Sequence, residues 1–404
     1  MSSPHPASGH LLPAGGAKDL AAGEGPSLRI GILGTRGVPP RYGGFETFAA
    51  ELGTRLVARG HRVAVYCRSE GERAWNGIER IVLPSIRHKY LETVSHAFLS
   101  ALDATHEDFD VVLVCNAANA FVLPLLRAAR IPVAINVDGI ERHRRKWNAL
   151  GRAVYRTGES LSVMFAHRVI ADAEVIAEYY RENYGAEPVV IPYGADFPDE
   201  RDSDVLQRLG LTPRNYILYV SRFEPENNPL EVILAYEALT DGRWPLAEET
   251  ANGQRPTAIP PLVMVGEGLY AKDLVRELRS HASERIIFPG ALYGDDYRTL
   301  QRKAQIYIQA TEVGGTHPAM IEAMGSGGLV LAHDTAENRE VGGDAVRYFQ
   351  LRPVETLSGM LRECLADSSQ QDDFRRRARE RAEGSYRWEV VTTAYESLFT
   401  GLSR

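Results

Sequence analysis

Two stretches of the sequence join glycine-rich turns to helical patterns, and each can offer backbone amides to an anion. The first, GTRGVPPRYGGFETF, leaves an apolar run and enters a helical pattern near Phe45. Gly43 and Gly44 let a backbone approach a ligand closely, and the unpaired amides of a helix N-terminus favour negative charge. A tight strand-to-helix turn with no ligand would use the same residues. The second, VGGTHPAMIEAMGSGGLVLA, sets Gly314 and Gly315 before a helix whose first position suits Pro318. Glu322 falls one turn into that helix, where a carboxylate can accept hydrogens from the hydroxyls of a ribose or sugar. A first-turn glutamate favoured by the helix dipole explains the position equally well.

A third stretch, Glu141 to Arg156, carries Arg142, Arg144, Arg145, Lys146, Arg152 and Arg156 around Trp147, Leu150 and Val154. Such a surface can meet anionic lipid headgroups or a diphosphate; a solvated helix face is the plain alternative. Nicotinamide chemistry fits less well. The first turn lacks GxGxxG, and the second strand ends in Cys67-Arg68 without an acid for the ribose, although Arg68 can face a phosphorylated ribose. Cys67, Cys115 and Cys364 lie far apart with no CxxC pair, so neither a zinc site nor a disulfide framework is indicated, and a cytoplasmic location fits.

These residues need a scaffold to hold them. The chain has 404 residues, 44% of them hydrophobic and 25% charged, which suits two or three folded domains. Its 46 Lys and Arg against 53 Asp and Glu leave a formal charge of −7, which argues against a general nucleic-acid partner. No stretch is long and uninterrupted enough to predict a membrane span. Residues 1–27, rich in Gly, Pro, Ala and Ser, read as a flexible tail. From Leu28, short β-branched runs alternate with amphipathic helical patterns, the signature of parallel strands under crossover helices. The strands expected are 28–34, 62–67, 111–115, 132–136, 168–171 and 188–191, then 216–221, 261–266, 285–290, 304–310 and 328–332. The Pro, Gly and acidic segment 191–204 between the two sets reads as a hinge, and Asp241 to Pro260 as a surface insertion. The fold class is α/β, two parallel-sheet domains facing across a cleft outside the carboxyl ends of their strands.

The ordered set RGVPPRYGGFETF, VSRFEPENNPLE and GGTHPAMIEAMGSGGLVLAHD resembles glycosyltransferase family 4 over roughly residues 28–400. RGVPPRYGGFE with NVDGIERHRRKW resembles, more narrowly, the bacterial rhamnosyltransferases of capsule and cell-wall polysaccharide. The resemblance implies the GT-B fold: a Rossmann-like acceptor domain at 28–195, a Rossmann-like nucleotide-sugar domain at 196–385 and a last helix, 386–404, crossing back to the first domain. It implies retention of anomeric configuration through front-face attack assisted by the leaving phosphate. The donor would be a nucleoside-diphosphate sugar, with dTDP-rhamnose favoured, and the acceptor lipid-linked or a polysaccharide. No cofactor is expected beyond that donor. A place at the inner face of the plasma membrane follows from such an acceptor.

By the same resemblance Arg222 matches a phosphate-binding arginine and Glu322 the second of two glutamates separated by seven residues. Gly314 occupies the position of the first, and Asn227 that of a lysine often found five residues after the arginine. The amides of Gly315, Thr316 and His317 would then stabilise the diphosphate, with Asn227 adding a neutral hydrogen bond and His317 also placed to touch the donor sugar. Asp138 stands where relatives often carry a histidine, so catalysis is assigned to Asp138, Arg222 and Glu322. Acceptor contacts are assigned to Glu46, Asp138, Glu141, Arg144 and Arg145. Asp108 and Asp110 precede a strand, and Asp202 and Asp204 lie in the hinge, so neither Asp-x-Asp pair is placed to hold a metal, and none is expected. A sugar-nucleotide epimerase of the same fold, an NAD(P)-dependent oxidoreductase and a noncatalytic nucleotide-binding module are the rival readings.

Overall fold

The computed structural model describes residues 26–40, 44–86, 88, 91–140, 142, 149–197, 202–240, 259–268, 271–366, 369 and 371–404. Its strands form two sheets. The first contains β1 (Arg29–Leu33), β2 (Arg62–Cys67), β3 (Ala74–Trp75), β4 (Ile78–Val82), β5 (Val111–Cys115), β6 (Val133–Asn136), β7 (Arg168–Ala171) and β8 (Val189–Val190). Their order is β3-β4-β2-β1-β5-β6-β7-β8, parallel except for the β3–β4 pair. The second contains β9 (Ile217–Val220), β10 (Leu262–Val265), β11 (Ile286–Gly290), β12 (Ile306–Gln309), β13 (Leu329–His333) and β14 (Arg347–Phe349). Its order is β11-β10-β9-β12-β13-β14, parallel throughout.

Helices cover both faces of each sheet. In the first lobe they are α1 (Gly44–Ala58), α2 (Leu91–Ala104), α3 (Leu123–Ala128), α4 (Ala149–Phe165) and α5 (Glu174–Tyr184). The second lobe adds α6 (Val205–Arg208), α7 (Pro229–Thr240), α8 (Lys272–Ser280), α9 (Gly294–Lys303), α10 (Pro318–Gly325), α11 (Ala336–Gly342), α12 (Glu355–Ala366) and α13 (Gln371–Ser385). The central strands are buried on both faces, which is why VVLVC and VAIN read as continuous apolar runs and not as alternations.

The last helix, α14 (Trp388–Leu402), belongs to the core of the first lobe. Its Trp388, Val391, Tyr395 and Phe399 pack with Ile30, Phe48 and Leu52. Arg59 at the end of α1 pairs with Glu389 at 2.8 Å and Glu396 at 2.6 Å, and the Tyr395 hydroxyl accepts from Asn136 Nδ2 at 2.9 Å. The chain passes between the lobes twice at one place, where Ala195 N donates to the Tyr386 carbonyl at 2.7 Å.

Each sheet reverses its winding direction once, between β1 and β5 in the first and between β9 and β12 in the second. Such reversal points leave a crevice outside the carboxyl ends of the strands. The two crevices face each other and merge into a cleft of about 940 Å³, within the range of ligand sites.

Candidate functional site

The second lobe supplies its wall from the segments that leave β9 and β12. Arg222 follows β9 by two residues, lines the cleft and is exposed. Among the described residues no carboxylate pairs with it, whereas the cleft arginines Arg68 and Arg302 face Glu92 and Asp202. Behind Arg222, Asn227 is buried, and its Nδ2 donates to the Arg222 carbonyl at 2.7 Å. Asn227 thus has a role beyond the expected contact with a diphosphate: one of its two N–H groups closes the turn that presents Arg222, and the residue still lines the cleft. An amide can do this inside the protein, while a lysine would bring a charge needing a partner.

The segment leaving β12 carries the glycine pair. The imidazole of His317 lies over Gly314, its Cε1 2.5 Å from where a Cβ would stand, so the ring fills the space a longer residue at 314 would need. Gly315 faces the other lobe: a Cβ there would stand 2.0 Å from Asp172 Oδ1. Thr316 N donates to Asp172 Oδ2 at 2.9 Å, and Thr316 Oγ1 donates to the Asp172 carbonyl at 2.5 Å. This differs from expectation. The Thr316 amide, assigned to a diphosphate, is taken by a carboxylate across the cleft, because Asp172 immediately follows β7 and so stands at the rim opposite. A second clasp runs the other way, with Glu340 of α11 accepting from the amides of Glu174 and Val175 at the start of α5, at 2.5 and 2.9 Å.

Glu322 lies in α10, where the Tyr297 hydroxyl of α9 donates to its Oε2. Gln301 Nε2 donates to the same Tyr297 oxygen at 2.7 Å and to the Ala319 carbonyl at 3.0 Å, fixing the tyrosine between α9 and α10. Burial pushes the Glu322 carboxyl up to about 7, against the opposing pull of the Tyr297 hydrogen bond. Burial also raises Asp172, and the neighbouring charge of Asp138 raises it further.

On the first lobe, Asp138 has φ 62°, and its amide donates to Asn136 Oδ1 at 2.9 Å, so the chain turns sharply after β6 and sets Asp138 on the cleft wall. Gly139 passes so close to the glycine pair that a Cβ would stand 2.8 Å from the Gly314 carbonyl carbon. Glu46 is buried in the first turn of α1 and accepts from Arg36 N at 2.9 Å, which commits one carboxylate oxygen to the β1–α1 turn. Gly44 opens α1 at the cleft, with no atom within 4 Å of a Cβ built there. Gly43, Glu141, Arg144 and Arg145 lie outside the described residues. Among the described residues, no group of three or more His, Cys, Asp and Glu side chains could hold a metal ion.

The structure thus brings Asp138, Arg222, Gly314, Gly315, His317 and Glu322 to one cleft. Sequence reasoning missed Asp172, Tyr297 and Gln301. Asp172 was findable by the rule applied to Asp138, as a polar residue directly after a parallel strand; Tyr297 and Gln301 gave no signal of their own within GDDYRTLQRK.

Two family profiles match the chain in sequence. Glycosyltransferase Family 4 covers residues 42–197, and Glycosyl transferases group 1 covers 204–381. The chain belongs to the family 4-type glycosyltransferases. No curated protein sequence matches it. Solved structures share the fold of this glycosyltransferase at low identity. Sucrose-phosphate synthase from Thermosynechococcus elongatus is 17% identical with a TM-score of 0.76, over 93% of this chain and 99% of that one. Anabaena HepE in complex with UDP-glucose is 16% identical with a TM-score of 0.74, over 93% and 100%. The α,α-trehalose 6-phosphate synthase from Burkholderia multivorans is 11% identical with a TM-score of 0.71, over 93% and 97%. The family 4-type assignment therefore joins the two lobes into one GT-B glycosyltransferase whose cleft is the site described above.

Proposed function

We propose that this glycosyltransferase is retaining and metal-independent, takes its sugar from a nucleoside diphosphate and delivers it to a lipid-linked acceptor. The observation that carries the reading is Arg222, a cleft guanidinium without a carboxylate partner among the described residues, at the reversal point of the second sheet. Breaking the bond between a sugar and a diphosphate builds negative charge on the leaving oxygens, and a preorganised arginine with neighbouring amides stabilises that charge. The amide of Gly315 and the N-terminus of α10 supply the dipoles. Glu322, backed by Tyr297, accepts the hydroxyls of the ribose. Asp138 orients the acceptor hydroxyl, whose proton passes to the leaving phosphate.

We assign dTDP-rhamnose as the donor. RGVPPRYGGFE and NVDGIERHRRKW support this through their likeness to rhamnosyltransferases, and the His317 ring over Gly314 leaves no carboxylate where relatives place the first glutamate. That loss is tolerable for a deoxy sugar, which offers one hydroxyl fewer. HepE binds UDP-glucose in the structure named above, so UDP-glucose is the natural competitor.

The test is calorimetric binding of dTDP-, UDP- and GDP-sugars, followed by transfer to lipid-linked acceptors, with the anomeric configuration of the product read by NMR. Binding of dTDP-rhamnose and a retained anomer in the presence of chelator are expected. Failure of every sugar nucleotide to bind would overturn the reading; binding without transfer to any acceptor would favour a noncatalytic module. A Tyr297→Phe variant probes the ribose contact: removing one net hydrogen bond of about 1 kcal/mol should raise the donor KM about five-fold and leave kcat nearly unchanged.

A further inference from the structure

Half of the large apolar side chains that stand exposed among the described residues fall between Val82 and Leu102. Four of them, Leu91, Val94, Phe98 and Leu102, follow one another on α2 at intervals of three or four residues, so they form one stripe along one side of the helix. They are 42–50% exposed. Ile86, 56% exposed, lies beside the stripe because its amide donates to Ser95 Oγ at 3.0 Å. The side of α2 turned to the core buries His96, Ala97, Ser100, Ala101 and Ala104. A surface helix that buries only alanines, a histidine and a serine while exposing leucine, valine and phenylalanine has its larger apolar side chains turned to something other than water.

The charges around the stripe identify what that is. Glu92 faces Arg68, Asp103 accepts from the Tyr66 hydroxyl at 3.0 Å, and Glu107 pairs with Arg29, so both acids of α2 and the first of the turn after it are engaged within the lobe, while Asp108 is exposed. The next helices, α3 and α4, pack along the same side of the sheet as α2. They and the turn after α3 expose Arg127, Arg130, Arg152 and Arg156. From residue 123 to 168 the sequence holds nine Lys and Arg against three Asp and Glu, within a chain of net charge −7. An apolar stripe flanked by cations matches an anionic bilayer surface, and it would repel a second copy of itself.

We infer that the outer face of α2 rests on an anionic membrane, with Leu91, Val94, Phe98 and Leu102 in the headgroup boundary and the arginines of α3 and α4 against the lipid phosphates. This deepens the lipid-linked acceptor of the proposed function and rests on it. The stripe starts at the cleft: Arg68 Nη2 donates to Thr93 Oγ1 at 3.3 Å, and both residues line it. A lipid-linked acceptor could therefore keep its hydrocarbon in the bilayer while its head enters between the lobes. No described helix is long and apolar enough to cross a membrane, so the contact lies along the surface.

The experiment is vesicle co-sedimentation of the full chain without donor, on phosphatidylcholine alone and on phosphatidylcholine with phosphatidylglycerol. Wild type should bind the anionic vesicles and leave the neutral ones. Leu91→Ser combined with Phe98→Ser should weaken binding about 100-fold, and Arg127→Gln combined with Arg130→Gln about 25-fold at low salt. Leu234→Ser, an exposed apolar position on α7 of the other lobe, should change nothing. Wild type that ignores anionic vesicles, or a stripe variant that binds as wild type does, overturns the inference. So does a wild-type dimer that the stripe variant converts to monomer, since a second copy would then be the occupant. Sugar-nucleotide binding measured in the same preparations without vesicles keeps the two claims apart, because loss of donor binding touches only the proposed function.

Discussion

Replacing Arg222 with alanine is expected to lower kcat by about 10²–10³, the loss seen when one preorganised donor is removed from a developing oxyanion. Donor KM should change much less. The guanidinium meets charge already present on the bound diphosphate, but its larger contribution comes as the glycosidic oxygen takes on further charge, and an interaction that strengthens only in the transition state appears in kcat. The position supports this division. Arg222 stands on a turn closed by Asn227, so its backbone needs no reorganisation during reaction, and no described carboxylate competes for it. Arg222→Lys should recover part of the loss, because an ammonium carries the charge but not the two-pronged geometry. Steady-state kinetics on the donor identified by calorimetry decides the matter. An alanine variant with unaltered kcat would remove the diphosphate assignment while leaving the fold and family untouched.

Much of the architecture is legible in the sequence because the central strands are buried on both faces and therefore spell continuous apolar runs. RVAVYC, VVLVC and RVIA occupy their expected residues, while LRIGILG and AQIYIQA are trimmed at their ends. The omissions are at or next to the edges. IERIV and RYF become β4 and β14, but each mixes charged and apolar residues in a short run beside a turn, and its pairing depends on a neighbouring strand already in place. The two-residue β3 exists only as the antiparallel partner of β4.

The site divides in the same way. Residues on strand-to-helix turns could be found, because parallel strands deliver their carboxyl ends to one rim; Asp138, Arg222 and Gly315 all reach the cleft by that rule. What those turns do to one another could not be read from one turn at a time. Gly315 looks in sequence like a phosphate cradle, yet in the folded chain its missing Cβ also makes room for Asp172 of the opposite lobe, and Thr316 N donates to that same carboxylate. The glycine pair serves the contact between lobes as well as any ligand. Gly314 similarly looks like the loss of a glutamate until the His317 ring is seen in its place.

Glu322 offers the second large effect, one of opposite slopes in pH. Its folded carboxyl titrates near 7, above an ordinary value of 4.5, because burial disfavours the charge. Between those values the folded chain holds a proton that the unfolded chain has released, so stability must fall as pH rises through the window. The loss is on the order of 3 kcal/mol for this carboxyl. Asp172, also raised by burial, adds to the fall with the same sign. A first-turn glutamate held only by the helix dipole would do the reverse, since its depressed titration would make stability rise with pH. Donor affinity should follow the opposite course to stability, because ribose hydroxyls donate to the carboxylate and favour its charged form, so binding tightens as pH rises through about 7. Glu322→Gln should remove this carboxyl's share of both slopes: more stable than wild type at pH 8, weaker in donor binding, and less sensitive to pH in each. Chemical denaturation and calorimetry of the same two proteins across the window measure both quantities. Parallel slopes, or a glutamine variant less stable than wild type above the window, would return Glu322 to a purely structural role.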